Sequence, residues 1–174
     1  MRLLIGSLRL LSKLPLELLY RLSDLLFPLL YSIARYRRKV VRGNLLRSFP
    51  EKTLPEIRKI EREFYRYFCD VMMETVRQLS ITEEEMRRRM VFSNEDLMME
   101  QLRMGKSAML MTGHYCNWEW ALSVSYYTPQ GAAVYPVYQR LNNPEFNEYM
   151  LQIRGHLGGH CVEKDDLVRR IYTL

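Results

Sequence analysis

Apolar residues crowd the chain from Met1 to Ala34, where leucine recurs with Tyr20, Phe27 and Tyr31 among them. The longest such stretch, Leu14 to Ala34, has about the length of a bilayer crossing, but Glu17, Arg21 and Asp24 interrupt it. Spaced i, i+4 and i+7, those three charges share one helical face and can pair there. A polar stripe opposite a leucine-rich face predicts a helix lying in a membrane interface, or a short anchor whose charges face protein. The competing reading is a buried amphipathic helix of a soluble domain. Pro15 and Pro28 start or kink helices in this region rather than extend them.

The pattern then turns to longer helical periods. Thr53-Leu54-Pro55-Glu56 has the form of a capping box with proline in the first turn. The helix it opens is predicted to run to about Leu79. Ile57, Ile60, Phe64, Tyr67, Phe68, Val71 and Met72 recur along it at three- and four-residue steps and form its expected core stripe. Arg58, Lys59, Glu61, Arg62 and Arg66 fall on the other face. A charged helix over Glu83 to Met90 follows, in an acid-then-base order that suits the helix dipole. A shorter helix is predicted from Asn94 to Arg103, ending at Gly105.

Beyond Gly105 apolar runs alternate with helical patterns. Ser107 to Met111 reads as a buried strand, Ala132 to Tyr138 as a second, and Cys161 to Val162 as a weaker third. Helices are predicted near Trp118 to Tyr127, Pro144 to Arg154 and Asp165 to Leu174. The alternation predicts an α/β fold: amphipathic N-terminal helices, then a mainly parallel sheet with flanking helices. Residues 1–50 form the membrane-associating segment in this reading, and residues 51–174 one continuous α/β domain.

Composition narrows the function classes. Hydrophobic residues at 48% and charged residues at 26% in 174 residues are globular values and exclude wholesale disorder. The net charge is +6, and Arg35, Arg37, Arg38, Lys39, Arg42 and Arg47 gather just past the apolar segment. Basic residues in that position mark a cytoplasmic side and attract anionic headgroups, at about 1 kcal/mol per charge. With no small-residue cleavage site, a secretory signal is disfavoured. Nucleic-acid binding ranks lower, because no motif of a nucleic-acid-binding fold accompanies the charges. Cys69, Cys116 and Cys161 are odd in number and widely spaced, which fits a reducing compartment better than a disulfide framework.

The candidate chemistry sits in Thr112-Gly113-His114-Tyr115-Cys116-Asn117-Trp118-Glu119. Residues five apart cannot meet inside one helix. His114 on the loop and Glu119 in the first turn of the next helix can meet, with Gly113 easing a tight turn and Asn117 as N-cap. A carboxylate on one ring nitrogen fixes the other as a base for a hydroxyl or amine nucleophile. The first helical N–H groups are available to an oxyanion. Metal binding by His114 and Cys116, or by His156, His160 and Cys161, lacks any CxxC or HExxH pattern. A Cys116 nucleophile would diverge from His114 on a tight turn.

His114-Tyr115-Cys116-Asn117-Trp118-Glu119 also has the H-x4-[DE] form of the glycerolipid acyltransferase superfamily. Together with the leucine-rich N-terminus, Arg37-Arg38-Lys39-Val40-Val41-Arg42-Gly43-Asn44-Leu45 and Ser48-Phe49-Pro50-Glu51, it resembles the bacterial lipid A late (lauroyl/myristoyl) acyltransferases, in particular their Bacteroides-type branch. The resemblance implies transfer of a fatty acyl chain from acyl carrier protein to a hydroxyl of a lipid A precursor, at the cytoplasmic face of the inner membrane. It implies His114 as general base, Glu119 as its orienting carboxylate, and no cofactor beyond the carrier-protein thioester. Arg154, in Ile153-Arg154-Gly155-His156-Leu157-Gly158, is the first candidate for the acidic headgroup; Arg140 and Asn117 are further substrate-binding candidates. A guanidinium suits phosphate on its own chemistry. A related phospholipid or aminolipid acyltransferase and a non-catalytic membrane-bound fragment are the alternatives. Because the family's later blocks have no counterpart here, the resemblance also implies a C-terminally truncated sheet with an exposed edge.

Overall fold

Local capping chemistry sets where three of the helices begin. In a computed structural model, which describes residues 1–130 and 132–173, α1 spans Arg2–Leu11 and α2 spans Leu16–Pro28. Pro15 stands at the N-cap of α2 with an extended backbone. At Pro28 the α-helix gives way to a π-helical turn, Leu29–Ile33, as a residue without an N–H requires some break in the ladder. Helix α3, Arg38–Ser48, follows two positive-φ residues, Arg35 and Arg37. Tyr65 donates its hydroxyl to the Tyr36 carbonyl, and Arg38 donates to the Tyr31 carbonyl at 3.2 Å, which hold that turn. Helix α4 runs from Leu54 to Gln78. The carboxylate half of the predicted capping box is present: Glu56 accepts from both the amide and the hydroxyl of Thr53, at 2.8 and 2.7 Å.

The chain forms two compact units, one of Met1–Lys13 with Thr75–Leu174 and one of Leu14–Glu74. In the Leu14–Glu74 unit, α2 turns Leu16, Leu19, Ser23 and Phe27 inward. On α4 the buried stripe is Ile57, Glu61, Tyr65 and Cys69, a strict four-residue step. This corrects the predicted stripe: Phe64, Tyr67 and Met72 are 42%, 43% and 39% exposed. The displacement has a chemical cause. Glu61 is fully buried because Arg38 and Arg42 both reach it, and a paired carboxylate counts as an inner residue although its charge reads as surface. Among the described residues no helix is long and apolar enough to cross a membrane.

The other unit carries the sheet. Helix α5, Glu83–Arg89, is capped by Thr82, whose hydroxyl oxygen accepts from the Glu85 amide, and Glu83–Arg87, Glu84–Arg88 and Glu85–Arg89 pair one turn apart. Helix α6, Asp96–Arg103, ends at Gly105 with φ +74°. A 3-10 helix covers Trp118–Tyr126 where an α-helix was predicted. Strand β1 is Val137–Tyr138 and β2 is Val162–Glu163; they pair in parallel, Val137 against Val162. Between them lies α7, Pro144–His156, with Asn143 accepting from the Phe146 amide as N-cap. A further bridge joins Val134 to Gly159. The last helix, α8, is Leu167–Ile171. The fold is thus mixed α/β with a small parallel sheet.

The predicted strand at Ser107 to Met111 does not form. The segment is irregular and exposed, with Met109 at 78% and Met111 at 84%. Apolar sequence alone does not make a strand, because its N–H and C=O groups need a ladder partner, and among the described residues β1 and β2 pair only with each other.

Candidate active site

Glu119 stands in the first turn of the 3-10 helix and is 9% exposed. Both of its carboxylate oxygens are taken by Arg154 from the last turn of α7: Nη2 to Oε1 at 2.6 Å and Nε to Oε2 at 2.9 Å. This is the fork-to-fork geometry in which arginine binds a carboxylate most strongly. Its placement is favoured at each end, since an acid suits a helix N-terminus and a base a helix C-terminus. The bonds to Glu119 raise the pKa of Arg154 and outweigh the opposing effect of burial, so the guanidinium stays charged. Its face also lies 6.0 Å from the Tyr138 ring centroid on β1.

Two glycines make this meeting possible. After α7 the chain reverses through Gly158, whose φ of +79° disfavours any side chain. A Cβ there would come within 2.9 Å of Ser125 Oγ, and one at Gly159 within 3.1 Å of Pro136. The Ser125 hydroxyl donates to the Leu157 carbonyl, fastening the end of α7 to the 3-10 helix. The His160 amide then bonds Val134 O at 2.8 Å, and the Val162 amide bonds Pro136 O at 2.9 Å, which start the parallel pairing. Ile153, Leu157 and Val162 are buried along this path, each contributing about 1.5–3 kcal/mol. Arg154 is thereby delivered to Glu119 by contacts that no local motif announces.

His114 lies on the exposed loop before the 3-10 helix. The Tyr115 amide bonds Gly113 O at 2.9 Å, making His114 the centre of a three-residue turn. The left-handed residue of the loop is Cys116, with φ 52°. The imidazole packs on Trp118, centroids 4.7 Å apart and planes tilted by 53°. The structure therefore places His114 and Glu119 at the same loop-to-helix junction while giving Glu119's hydrogen bonds to Arg154. Asn117 occupies the N-cap position, but its side chain makes no capping bond. Arg140 lies exposed just beyond β1.

The other nucleophile and ligand candidates are dispersed. Cys116 is exposed and Cys161 half-buried; burial pushes the Cys161 thiol up, with Arg154 opposing. His156 Nε2 sits 2.8 Å from the Ile81 carbonyl, and His160 faces the Tyr135 ring. No group of three or more His, Cys, Asp or Glu side chains able to hold a metal ion occurs among the described residues. Three participants were missed in the sequence: Trp118 as the partner of His114, Ser125, and the Gly158–Gly159 reversal. Only the paired glycines directly after a helical pattern gave a signal that could have found them.

Among known proteins, the model of the bacterial lipid A biosynthesis acyltransferases matches residues 1–173. No curated protein and no solved structure matches the chain. The match runs through the amphipathic start, the basic helix, the His114 loop and the Arg154 block alike, and on that evidence the chain belongs to the bacterial lipid A biosynthesis acyltransferase family.

Proposed function

We propose that the chain transfers a fatty acyl group from acyl carrier protein to a hydroxyl of a lipid A precursor, with His114 as general base and Glu119 as the carboxylate that orients it. The observation that carries the reading is the buried, bidentate Arg154–Glu119 pair set beside the His114 loop in a chain of this family. An ionised carboxylate has about four lone-pair sites, and Arg154 occupies two of them. Glu119 can therefore accept an imidazole N–H while remaining fixed by the guanidinium. With Nδ1 or Nε2 held in this way, the other ring nitrogen takes the proton of the acceptor hydroxyl as that oxygen attacks the thioester carbonyl. The tetrahedral oxyanion collapses and expels the carrier-protein thiolate, which takes up the proton.

Arg154 then serves as the positioning residue of Glu119, and the headgroup falls to Arg140, whose exposed guanidinium just beyond β1 is free of carboxylate partners among the described residues. Trp118 packs against the imidazole and limits its rotation. Asn117 and the backbone N–H groups that open the 3-10 helix are the donors we assign to the substrate carbonyl. The site works at the cytoplasmic face of the inner membrane, where the exposed Leu25, Leu29 and Ile33 and the basic run at Arg35, Arg37 and Lys39 meet anionic lipid.

The test is acyl transfer to a lipid A precursor from an acyl carrier protein donor. His114→Ala is expected to lower the rate by about 10²–10⁴ with membrane binding unchanged. Undiminished transfer in that variant would overturn the reading.

A further inference from the structure

The Leu14–Glu74 unit holds an arginine arrangement that acyl transfer does not use. Phe27 stacks on Tyr31, centroids 5.4 Å apart and planes 11° from parallel. The Arg38 guanidinium lies 4.2 Å from the Tyr31 ring centroid. Arg62 and Arg66 lie 5.8 and 5.3 Å from the centroid of Phe27. Three guanidiniums thus crowd one two-ring stack.

Their charges are not handled alike. Arg38 and its neighbour Arg42 are both bound to the buried carboxylate of Glu61. Arg62 and Arg66 are exposed, one turn apart on α4, and neither reaches a carboxylate within ion-pair distance among the described residues. The acids nearest in sequence are otherwise placed: Asp70 accepts from Ser23 Oγ at 2.6 Å, while Asp24 and Glu63 are exposed. Like charges at i, i+4 repel, by a few tenths of a kcal/mol on a helix. Here they converge on the same ring instead of splaying apart, held by the attraction of a cation to an aromatic face.

We propose that Arg62 and Arg66, gathered over Phe27, form a binding site for a phosphate group carried on a ligand outside this chain. One guanidinium fork saturates one face of a planar carboxylate, as Arg154 does with Glu119. Two guanidiniums that share the Phe27 ring instead match the several oxygens of a phosphate monoester, a group that arginine is well shaped to grip. The ring beneath excludes water from one side, so the pair attracts an anion more strongly than two freely solvated arginines would. The same phosphate chemistry is presented by a lipid headgroup and by a soluble phosphate. The proposal is independent of the acyl-transfer reading and survives its failure.

The test uses the full chain and two probes: inorganic phosphate, and phosphatidylcholine vesicles with and without phosphatidic acid. Arg62→Gln with Arg66→Gln is expected to weaken binding of the phosphate-bearing probe by about tenfold. Arg58→Gln with Lys59→Gln removes the same charge from exposed positions of the same helix and is expected to cost less than about threefold. Arg62→Lys with Arg66→Lys keeps the charge, loses the planar forks, and is expected to cost about fivefold. Binding of either probe that follows this order supports the site and identifies its source as soluble or lipid-borne. A control pair as damaging as the glutamine pair, lysine variants that bind like the parent, or no binding of either probe would overturn it.

Discussion

Among the described residues two carboxylates, Glu61 and Glu119, are buried, and arginine holds them differently. Glu61, in the Leu14–Glu74 unit, is bonded by two guanidiniums: Arg42 at 2.7 and 3.0 Å and Arg38 at 3.0 Å. Glu119, in the other unit, is bonded by one, through both oxygens. The first arrangement commits three of the carboxylate's about four acceptor sites to its two arginines. The second fixes a carboxylate in position and leaves lone pairs to spare beside a histidine loop. On the proposed reading, the difference separates a carboxylate that ties helices together from one that orients a catalytic base.

The largest expected effect is on stability at Glu61. Glu61→Ala leaves two guanidiniums without their acid at the heart of α3 and α4 and is expected to cost about 3–5 kcal/mol in denaturant unfolding. Glu119→Ala strands one guanidinium rather than two, and a smaller loss of about 1–3 kcal/mol is expected. Equal losses would remove the distinction drawn between the two centres.

A pH titration sharpens the same contrast. Burial pushes the Glu61 carboxyl up, but the bonds from Arg42 and Arg38 outweigh it and hold the group below the usual carboxylate range. The unfolded chain therefore binds this proton more readily than the folded one. The stability from Glu61 is fully present above the unfolded value and is lost as pH falls through the lower, folded one. Glu61→Gln is expected to flatten that part of the acid unfolding curve; an unchanged curve would mean that other carboxyls set it.

An indirect effect lies at the turn that delivers Arg154. Gly158→Ala places a Cβ against Ser125 in a left-handed conformation. It is expected to lower stability by about 1–3 kcal/mol and to reduce acyl transfer through Arg154, with substrate affinity less affected. A variant as stable and active as the parent would show that the turn does not position the site.

These centres were unequally legible in the sequence. Helix starts were readable wherever the capping is local: Thr53 with Glu56, Thr82 with the Glu85 amide, and Asn143 with the Phe146 amide each act within one turn. The stripe on α4 was misread because Glu61 belongs inside it, and only a partner in α3 makes that tolerable. The strand at Ser107 to Met111 failed for the converse reason: its composition is right, but pairing is not a local property. His114, Glu119 and Arg154 could be singled out one by one. That Glu119 belongs to Arg154 depends on the Gly158 reversal and the Ser125 bond, contacts between residues far apart in sequence.

The central claim is that His114 and Glu119 act as one catalytic unit although Arg154 also holds the carboxylate. A double-mutant cycle of acyl transfer, with His114→Ala, Glu119→Gln and both together, tests it most directly. If the two act as a unit, the double variant is expected to be no slower than His114→Ala alone. A double variant slowed by the full product of the two single losses would contradict the account.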